Sequence, residues 1–335
     1  MPTTTRLSSR RKALQLGVAA IAMTSALASY AQLNPNAAGN KPITLVVPYA
    51  AGGLTDQLAR ELSAYMTTAL KQSVIVENRP GGAAQIAMNF LKSAPADGHT
   101  VFIGDVPSLA TNVGLFAKLS YDPRKDLQAV TELVVAPALV VVPNKSPFKT
   151  FEDLVKSAKA KPNALSYASQ GVGTGGHLFG TLLSNNIHSP MTHAAYRGSM
   201  PGLSDVISGQ VDFMYDAIPT SGPLVLSQKI RALAIGSDKR SPLLPDVPTL
   251  KELGYGSIVP TFWWGVAVKR GTPEAVVNKL HDVIDAAMHD PVISKKFTSQ
   301  GMQIVTNTPA QFGQYMDSEV TYWTKIMQDA GMQAE

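Results

Sequence analysis

Short apolar runs alternate along the chain with longer stretches whose apolar positions recur every three or four residues, which predicts strands alternating with helices. Ile43, Leu45, Val46 and Val47 form the first buried strand. Pro48-Tyr49-Ala50-Ala51-Gly52-Gly53 follows as a glycine turn, and Leu58, Leu62, Tyr65, Met66, Ala69 and Leu70 lay one stripe of a helix. The unit repeats. Val74-Ile75-Val76 leads through Glu77-Asn78-Arg79-Pro80-Gly81-Gly82 to a helix carrying Ile86, Phe90 and Leu91, and the strand at 100–103 ends in Gly104-Asp105-Val106-Pro107-Ser108. The strand at 165–168 runs into Ser169-Gln170-Gly171-Val172-Gly173-Thr174-Gly175-Gly176-His177, the most glycine-dense loop, and then a helix carrying Leu178, Phe179, Leu182 and Leu183. Strands at 192–196 and 211–215 end in Arg197-Gly198-Ser199 and in Asp216, and 231–235 is the last of this set. Such alternation predicts mostly parallel sheets flanked by helices, with ligands bound outside the carboxyl ends of the strands.

Two runs break the rhythm. Residues 133–142 are apolar with Pro137 inside them, and residues 258–268 are marked by Pro260 and carry Trp263 and Trp264. Both are too long and too broken for ordinary central strands, and both suit a chain that leaves one sheet and enters another. They predict an α/β chain of two lobes hinged on two crossing strands. The first lobe comprises residues 41–138 with 262–335, and residues 139–261 form the inserted second lobe. After the return, Pro273 opens a helix with Val276, Val277, Leu280 and Ile284 in register, and a short strand at 302–305 and a helix from Pro309 close the chain.

Charge changes the picture less than the formal +5 suggests. Arg6, Arg10, Arg11 and Lys12 precede an apolar run at 13–28 and small residues before Gln32, and the first 31 residues hold no acid. This is the layout of a secretory signal, with cleavage expected near Ala31 and a periplasmic destination. Ser9-Arg10-Arg11-Lys12 resembles a twin-arginine signal with Ala13 where that pattern prefers Phe, so the Sec and twin-arginine routes both stay open. Without the leader, 25 basic groups face 24 acidic ones, and no basic cluster interleaved with aromatics points to nucleic acid. The chain has no cysteine, which removes disulfides, thiolate metal sites and a cysteine nucleophile. No later stretch is long and apolar enough to span a membrane.

The chemistry rests with the loops. A helix that starts just after a glycine loop presents unpaired amides to an anion, and two such loops facing each other would hold carboxylates. Gly171-Val172-Gly173-Thr174-Gly175-Gly176 lacks the dinucleotide spacing, and the six histidines include no metal pair at helical spacing. No cofactor, metal or catalytic residue is expected. Arg197 suits a bidentate carboxylate contact or a surface pair. Asp105 suits a ligand hydroxyl or ammonium, or a cap for the segment from Ser108. Asp216 suits a ligand contact or a brace for a loop.

Taken in order, these motifs resemble the Bug-type extracytoplasmic receptors of tripartite tricarboxylate transporters. Further carriers are Asp56 with Arg60, Ala96-Asp97-Gly98-His99-Thr100, Tyr121-Asp122-Pro123, His193 with Tyr196-Arg197-Gly198, Gly209-Gln210-Val211-Asp212, Arg231-Ala232-Leu233-Ala234 and Leu244-Pro245-Asp246-Val247-Pro248-Thr249. The resemblance covers the whole mature chain. It implies a type II periplasmic-binding fold, a monomer that closes like a Venus flytrap on a small organic carboxylate (a dicarboxylate, tricarboxylate or aromatic carboxylate) and delivers it to membrane permease subunits. It also implies ligand contacts from Tyr49, Ala51, Gly52 and Gly53, from Ser169, Gly173, Thr174 and Gly175, and from Tyr196, Arg197 and Gly198. The sequence departs from the family at Gly104-Asp105-Val106-Pro107 and at Ala83-Ala84-Gln85, where smaller or more glycine-rich runs are expected. Two other classes fit the same scaffold: a secreted hydrolase using Asp105 or His177, and a ligand-sensing subunit of a signalling system.

Overall fold

The computed structural model describes residues 41–332; the expected signal segment, 1–31, lies outside the described residues. In chain order the elements are β1 (Ile43–Val47), α1 (Leu54–Leu70), β2 (Val74–Asn78), α2 (Gln85–Ser93), β3 (Thr100–Asp105), a π-helical turn Pro107–Thr111 continued by α3 (Asn112–Leu115), and α4 (Pro123–Asp126). They continue with β4 (Leu127–Ala136), β5 (Ala138–Pro143), α5 (Phe151–Ala160), β6 (Ser166–Ser169), α6 (Gly175–Asn186), β7 (Thr192–Ala195) and α7 (Ser199–Ser208). The last are β8 (Phe213–Ala217), α8 (Ile218–Leu226), β9 (Ile230–Gly236), β10 (Phe262–Lys269), α9 (Glu274–His289), α10 (Pro291–Thr298), β11 (Gln303–Ile304) and α11 (Pro309–Asp329).

Two sheets result. The six-stranded one has the order β11-β4-β10-β3-β1-β2, and the five-stranded one β7-β6-β8-β5-β9. Pro137 alone separates β4 from β5, so the first proline-marked run divides between the sheets. Each sheet is mixed rather than simply parallel. β2, β1 and β3 pair in parallel, as do β7, β6 and β8, whereas β10 pairs antiparallel with β3 and β4, and β5 with β8 and β9. The reversal follows from the crossing: a strand that enters a sheet from the cleft side runs away from the cleft, against its neighbours. The return is less regular than a single strand. A turn at Gly256–Ile258 and the extended Val259 precede β10, and the Pro260 carbonyl accepts the buried Tyr215 hydroxyl at 3.0 Å.

Helices cover both faces of each sheet. α1, α9 and α10 pack one side of the larger sheet through Leu58, Leu62, Leu280, Ile284 and Phe297, and α2, α3 and α11 the other through Met88, Leu115, Phe312 and Trp323. Phe151, Phe179, Phe213 and Tyr215 fill one side of the smaller sheet, and Leu203, Val206 and Ile218 the other.

β4 begins six residues before the apolar run that announced it, because Thr131 and Glu132 are buried within it. The Glu132 carboxylate accepts Asn307 Nδ2 at 3.0 Å. Burial pushes it up to about 7, with the nearby Glu319 adding to the rise. A folded-state value above the unfolded one means the stabilisation is full below about 4.5 and is lost as pH rises through about 7. Glu132→Gln, which keeps an acceptor for Asn307 and carries no charge, is expected to raise stability at pH 8 by about 1–2 kcal/mol and to change little at pH 4 in urea titrations at both pH values.

Candidate functional site

The glycine loops sit at the carboxyl ends of β1, β2, β6 and β7, where the sheets face one another. Three contacts join these ends. The Thr111 hydroxyl donates to the Gly173 carbonyl at 3.1 Å. Leu115 lies so close to Gly173 that a Cβ there would stand 2.4 Å from its Cδ2. Phe262 abuts Gly175, where a Cβ would stand 2.6 Å from the ring. A side chain at 175 would therefore meet the Phe262 ring, and one at 173 would have to displace the tip of Leu115 and would be strained at φ +81°.

On the larger sheet, Ala51, Gly52 and Gly53 are exposed and α1 starts at Gly53 with no side-chain cap. Gly52, at φ +94°, donates its amide to Asp56 at 2.9 Å. Asp56 also accepts Arg60 Nε at 2.8 Å and Asn78 Nδ2 at 3.0 Å. Burial pushes this carboxyl up, but Arg60, the Gly52 amide and Asn78 outweigh it and hold it below the usual range. Thr55 takes no part in capping; it accepts the Trp264 indole at 3.0 Å. Tyr49 donates its hydroxyl to Asp105 at 2.7 Å, and desolvation followed by that carboxylate pushes the phenol well up. Asp105 also accepts the Ser108 hydroxyl at 2.9 Å. Desolvation raises its carboxyl, and the Tyr49 and Ser108 donors offset part of the rise. Of the two roles open to Asp105, the geometry matches the one that ties β3 to the π-helical turn.

The second glycine loop carries strain. Gly81, Gly82, Ala83 and Ala84 all have positive φ, at 113°, 57°, 52° and 71°. Alanine at such angles crowds its Cβ against the backbone. The turn is held by Asn112, whose Nδ2 donates to the Ala83 carbonyl at 2.8 Å.

On the smaller sheet, Ser169 is fully buried, with its hydroxyl 2.7 Å from His193 Nε2 and accepting the Gly171 amide at 3.1 Å. Thr174 turns its hydroxyl back to the Gly171 carbonyl at 2.7 Å and does not cap α6, whose Gly176 amide donates instead to Gln170 Oε1 at 3.2 Å. α7 starts likewise at Gly198, φ +114°. Tyr196 donates to Asp205 at 2.6 Å; desolvation and that carboxylate push its phenol up to about 12. Arg197 is exposed and, among the described residues, forms no hydrogen bond or ion pair. Asp216 is fully buried. It accepts the Ser199 hydroxyl at 2.5 Å, Gln170 Nε2 at 2.7 Å and the Thr220 hydroxyl, and so binds the β6, β7 and β8 loops into one unit. Burial raises its carboxyl and those donors offset part of the rise.

Of the expected residues, Ala51, Gly52, Gly53 and Arg197 are exposed, Ser169, Asp105, Asp216, Tyr49, Tyr196 and Thr174 brace loops, Gly173 and Gly175 are buried where the sheets meet, and Gly198 is half-buried at the start of α7. Sequence reasoning assigned no role to Gln170, Asn78, Asn112 or Thr111. Gln170 lies inside a loop already singled out, and its flanking glycines were the available signal. Nothing in the chain announces Thr111, whose partner is 62 residues away.

Asp216→Ala removes the shared acceptor of three half-buried donors, of which Gln170 and Thr220 keep a backbone carbonyl, and is expected to cost about 2 kcal/mol in urea unfolding, with Asp216→Asn costing less. Ala83→Gly relieves the left-handed strain and is expected to add about 0.5–1 kcal/mol in the same assay, the gain being limited by the greater freedom of glycine in the unfolded chain.

Known proteins share this fold and part of this sequence. A protein of the UPF0065 type encoded between tcbD and tcbE in Pseudomonas sp. strain P51 is 33% identical over 318 residues, covering 95% of this chain and 94% of that one. Rpa4515 of R. palustris, solved with adipate, is 31% identical with a TM-score of 0.81, covering 89% of this chain and 100% of that one. MatC (Rpa3494) of Rhodopseudomonas palustris, solved with bound malate, is 30% identical with a TM-score of 0.78, covering 85% and 98%. The family model described as the tripartite tricarboxylate transporter family receptor matches residues 58–332. With the two-sheet architecture and the facing glycine loops, that match makes the chain a member of the tripartite tricarboxylate transporter receptor family, whose members are periplasmic solute-binding proteins.

Proposed function

We propose that the chain captures a small organic carboxylate between two lobes, residues 41–138 with 262–335 and residues 139–261, and passes it as a monomer to the permease subunits of a tripartite transporter. Export with removal of a signal near residue 31, by the Sec or twin-arginine route, belongs to the same reading. The observation that carries it is the set of helix starts at Gly53, Thr174 and Gly198, where the N-cap residue makes no side-chain cap and which stand at strand carboxyl ends, together with the unpaired cation of Arg197. Helix starts and a guanidinium all favour negative charge, and together they suit a ligand with a carboxylate at each end. Malate and adipate, the acids held by the two similar R. palustris proteins, are ligands of this kind and define the first compounds to try.

The hydrolase reading has no such support. Asp105 is engaged by Tyr49 and Ser108, and His177 accepts the Gly173 amide at 3.1 Å, so both groups it would need already serve the loops. Membrane pulldown of permease subunits or of a sensor protein separates transport from signalling.

Thermal-shift titration of the purified protein against malate, adipate, citrate and benzoate tests the reading. A ligand at 100 times its dissociation constant is expected to stabilise the native state by about 2.7 kcal/mol. Arg197→Gln is expected to leave the ligand-free melting point in place and to weaken a dicarboxylate about tenfold to a hundredfold, the worth of one charge-assisted contact. A flat response across the acids, with no copurified solute released on denaturation, would rule the receptor reading out.

A further inference from the structure

One residue of the glycine-dense loop is gripped from both sides of the cleft. The Gly173 amide donates to Nδ1 of His177 at 3.1 Å, and its carbonyl accepts the Thr111 hydroxyl at 3.1 Å. Its Cα, at φ +81°, lies against Leu115. His177 stands on α6 beside the smaller sheet, whereas Thr111 and Leu115 follow β3 of the larger one. Thr111 is fully buried, so its hydroxyl has no solvent to fall back on.

The imidazole is fixed as well. Its ring stacks on His193 with centroids 4.1 Å apart and planes 12° apart, and His193 stacks on Tyr167 at 4.9 Å. Because the Gly173 amide is a donor, Nδ1 must present a lone pair, and His177 is neutral with its proton on Nε2. Burial, then His193, pushes its pKa down to about 4; His193 is the one charge that acts on it among the described residues. The groups packed on it are therefore the Gly173 amide and, on β7, His193, with Ser169 and Tyr167 on β6 behind that ring, while the uncharged Thr111, Asn112 and Leu115 lie against Gly173 from across the cleft.

We infer that Thr111 and His177 are positioning residues that lock the ligand loop of the smaller lobe onto the larger lobe, and that a proton on His177 releases the lock. Protonation turns Nδ1 from acceptor into donor, so it confronts the Gly173 N–H, and it places a cation against the face of His193. The inference rests on the receptor reading only for its consequence, which is that captured solute is held across the neutral range and let go in acid. The sign follows from the depressed value: the locked loop excludes a proton that the open loop accepts near 6.5, so locking weakens as pH falls from about 6.5 towards about 4.

Amide exchange of peptides spanning residues 170–178, corrected for intrinsic rates, reads the lock without any ligand. At pH 7, Thr111→Val and His177→Leu are each expected to lower protection about tenfold, the worth of one buried hydrogen bond. Thr111→Ser and His177→Asn, which keep the hydroxyl and an acceptor at the Nδ1 position, are expected to retain it. At pH 5 the unaltered protein is expected to lose protection about tenfold and His177→Asn to lose none. Equal protection in Thr111→Val and the unaltered protein, or an equal acid loss in His177→Asn, overturns the lock. Binding of malate and adipate is then compared at pH 7 and pH 5, the His177→Asn variant cancelling protonation of the acids themselves. Acid is expected to weaken binding about tenfold more in the unaltered protein than in the variant; tighter binding in acid would mean that the imidazolium ligates the carboxylate, and would overturn the inference. If neither acid binds at pH 7, the receptor reading loses its support while the exchange data still decide the lock.

Discussion

Each sheet is finished by a strand that arrives from the other. β10 sits between β3 and β4 in the larger sheet, and β5 between β8 and β9 in the smaller one. Neither core closes until its crossing strand is in place, so the two halves fold as one mutually dependent body. The same crossing sets the function. Strands that leave one sheet at its carboxyl end and enter the next at its carboxyl end oblige those ends, and the loops on them, to face each other. The cleft is thus a product of connectivity, and the antiparallel pairing of β5 and β10 is its record.

That connectivity was legible because it is written in backbone chemistry. Pro137 cannot donate to a ladder, so a proline in an apolar run announced the exit from the first sheet, and the glycine loops announced the carboxyl ends. β4 was legible only in part. Thr131 and Glu132 read as polar, and their burial depends on Asn307, 175 residues further on and invisible to a local pattern. The return crossing was located but misjudged in shape, since Tyr215 holds the Pro260 carbonyl and keeps that segment out of the ladder.

The site was legible as loops but not as roles. Asp105, Asp216 and Ser169 drew notice because polar residues at strand ends suit ligands, and each turns its acceptors to neighbouring loops. A strand-end polar residue serves ligand and scaffold equally well by sequence; the choice depends on which donors fold back towards it. Thr111 shows the converse, a residue of no local distinction whose hydroxyl joins the two sheets.

An acid beside a carboxylate site looks like a contradiction, and three stand in these loops. The resolution lies in where their charge is directed. Asp56 faces the Gly52 amide, Arg60 and Asn78; Asp105 faces Tyr49 and Ser108; Asp216 faces Ser199, Thr220 and Gln170. Each negative charge is balanced by donors at hydrogen-bond range, and the field it sends into the cleft is reduced accordingly. What remains without a partner is the guanidinium of Arg197, beside helix starts whose N-cap residues leave them uncapped. The acids also hold those helix starts still before any solute arrives, so binding need not bear the entropy of ordering them. Buried aspartates and the glycine loops beside them are therefore two parts of one arrangement, in which the acids shape the loops and leave backbone amides at the strand ends.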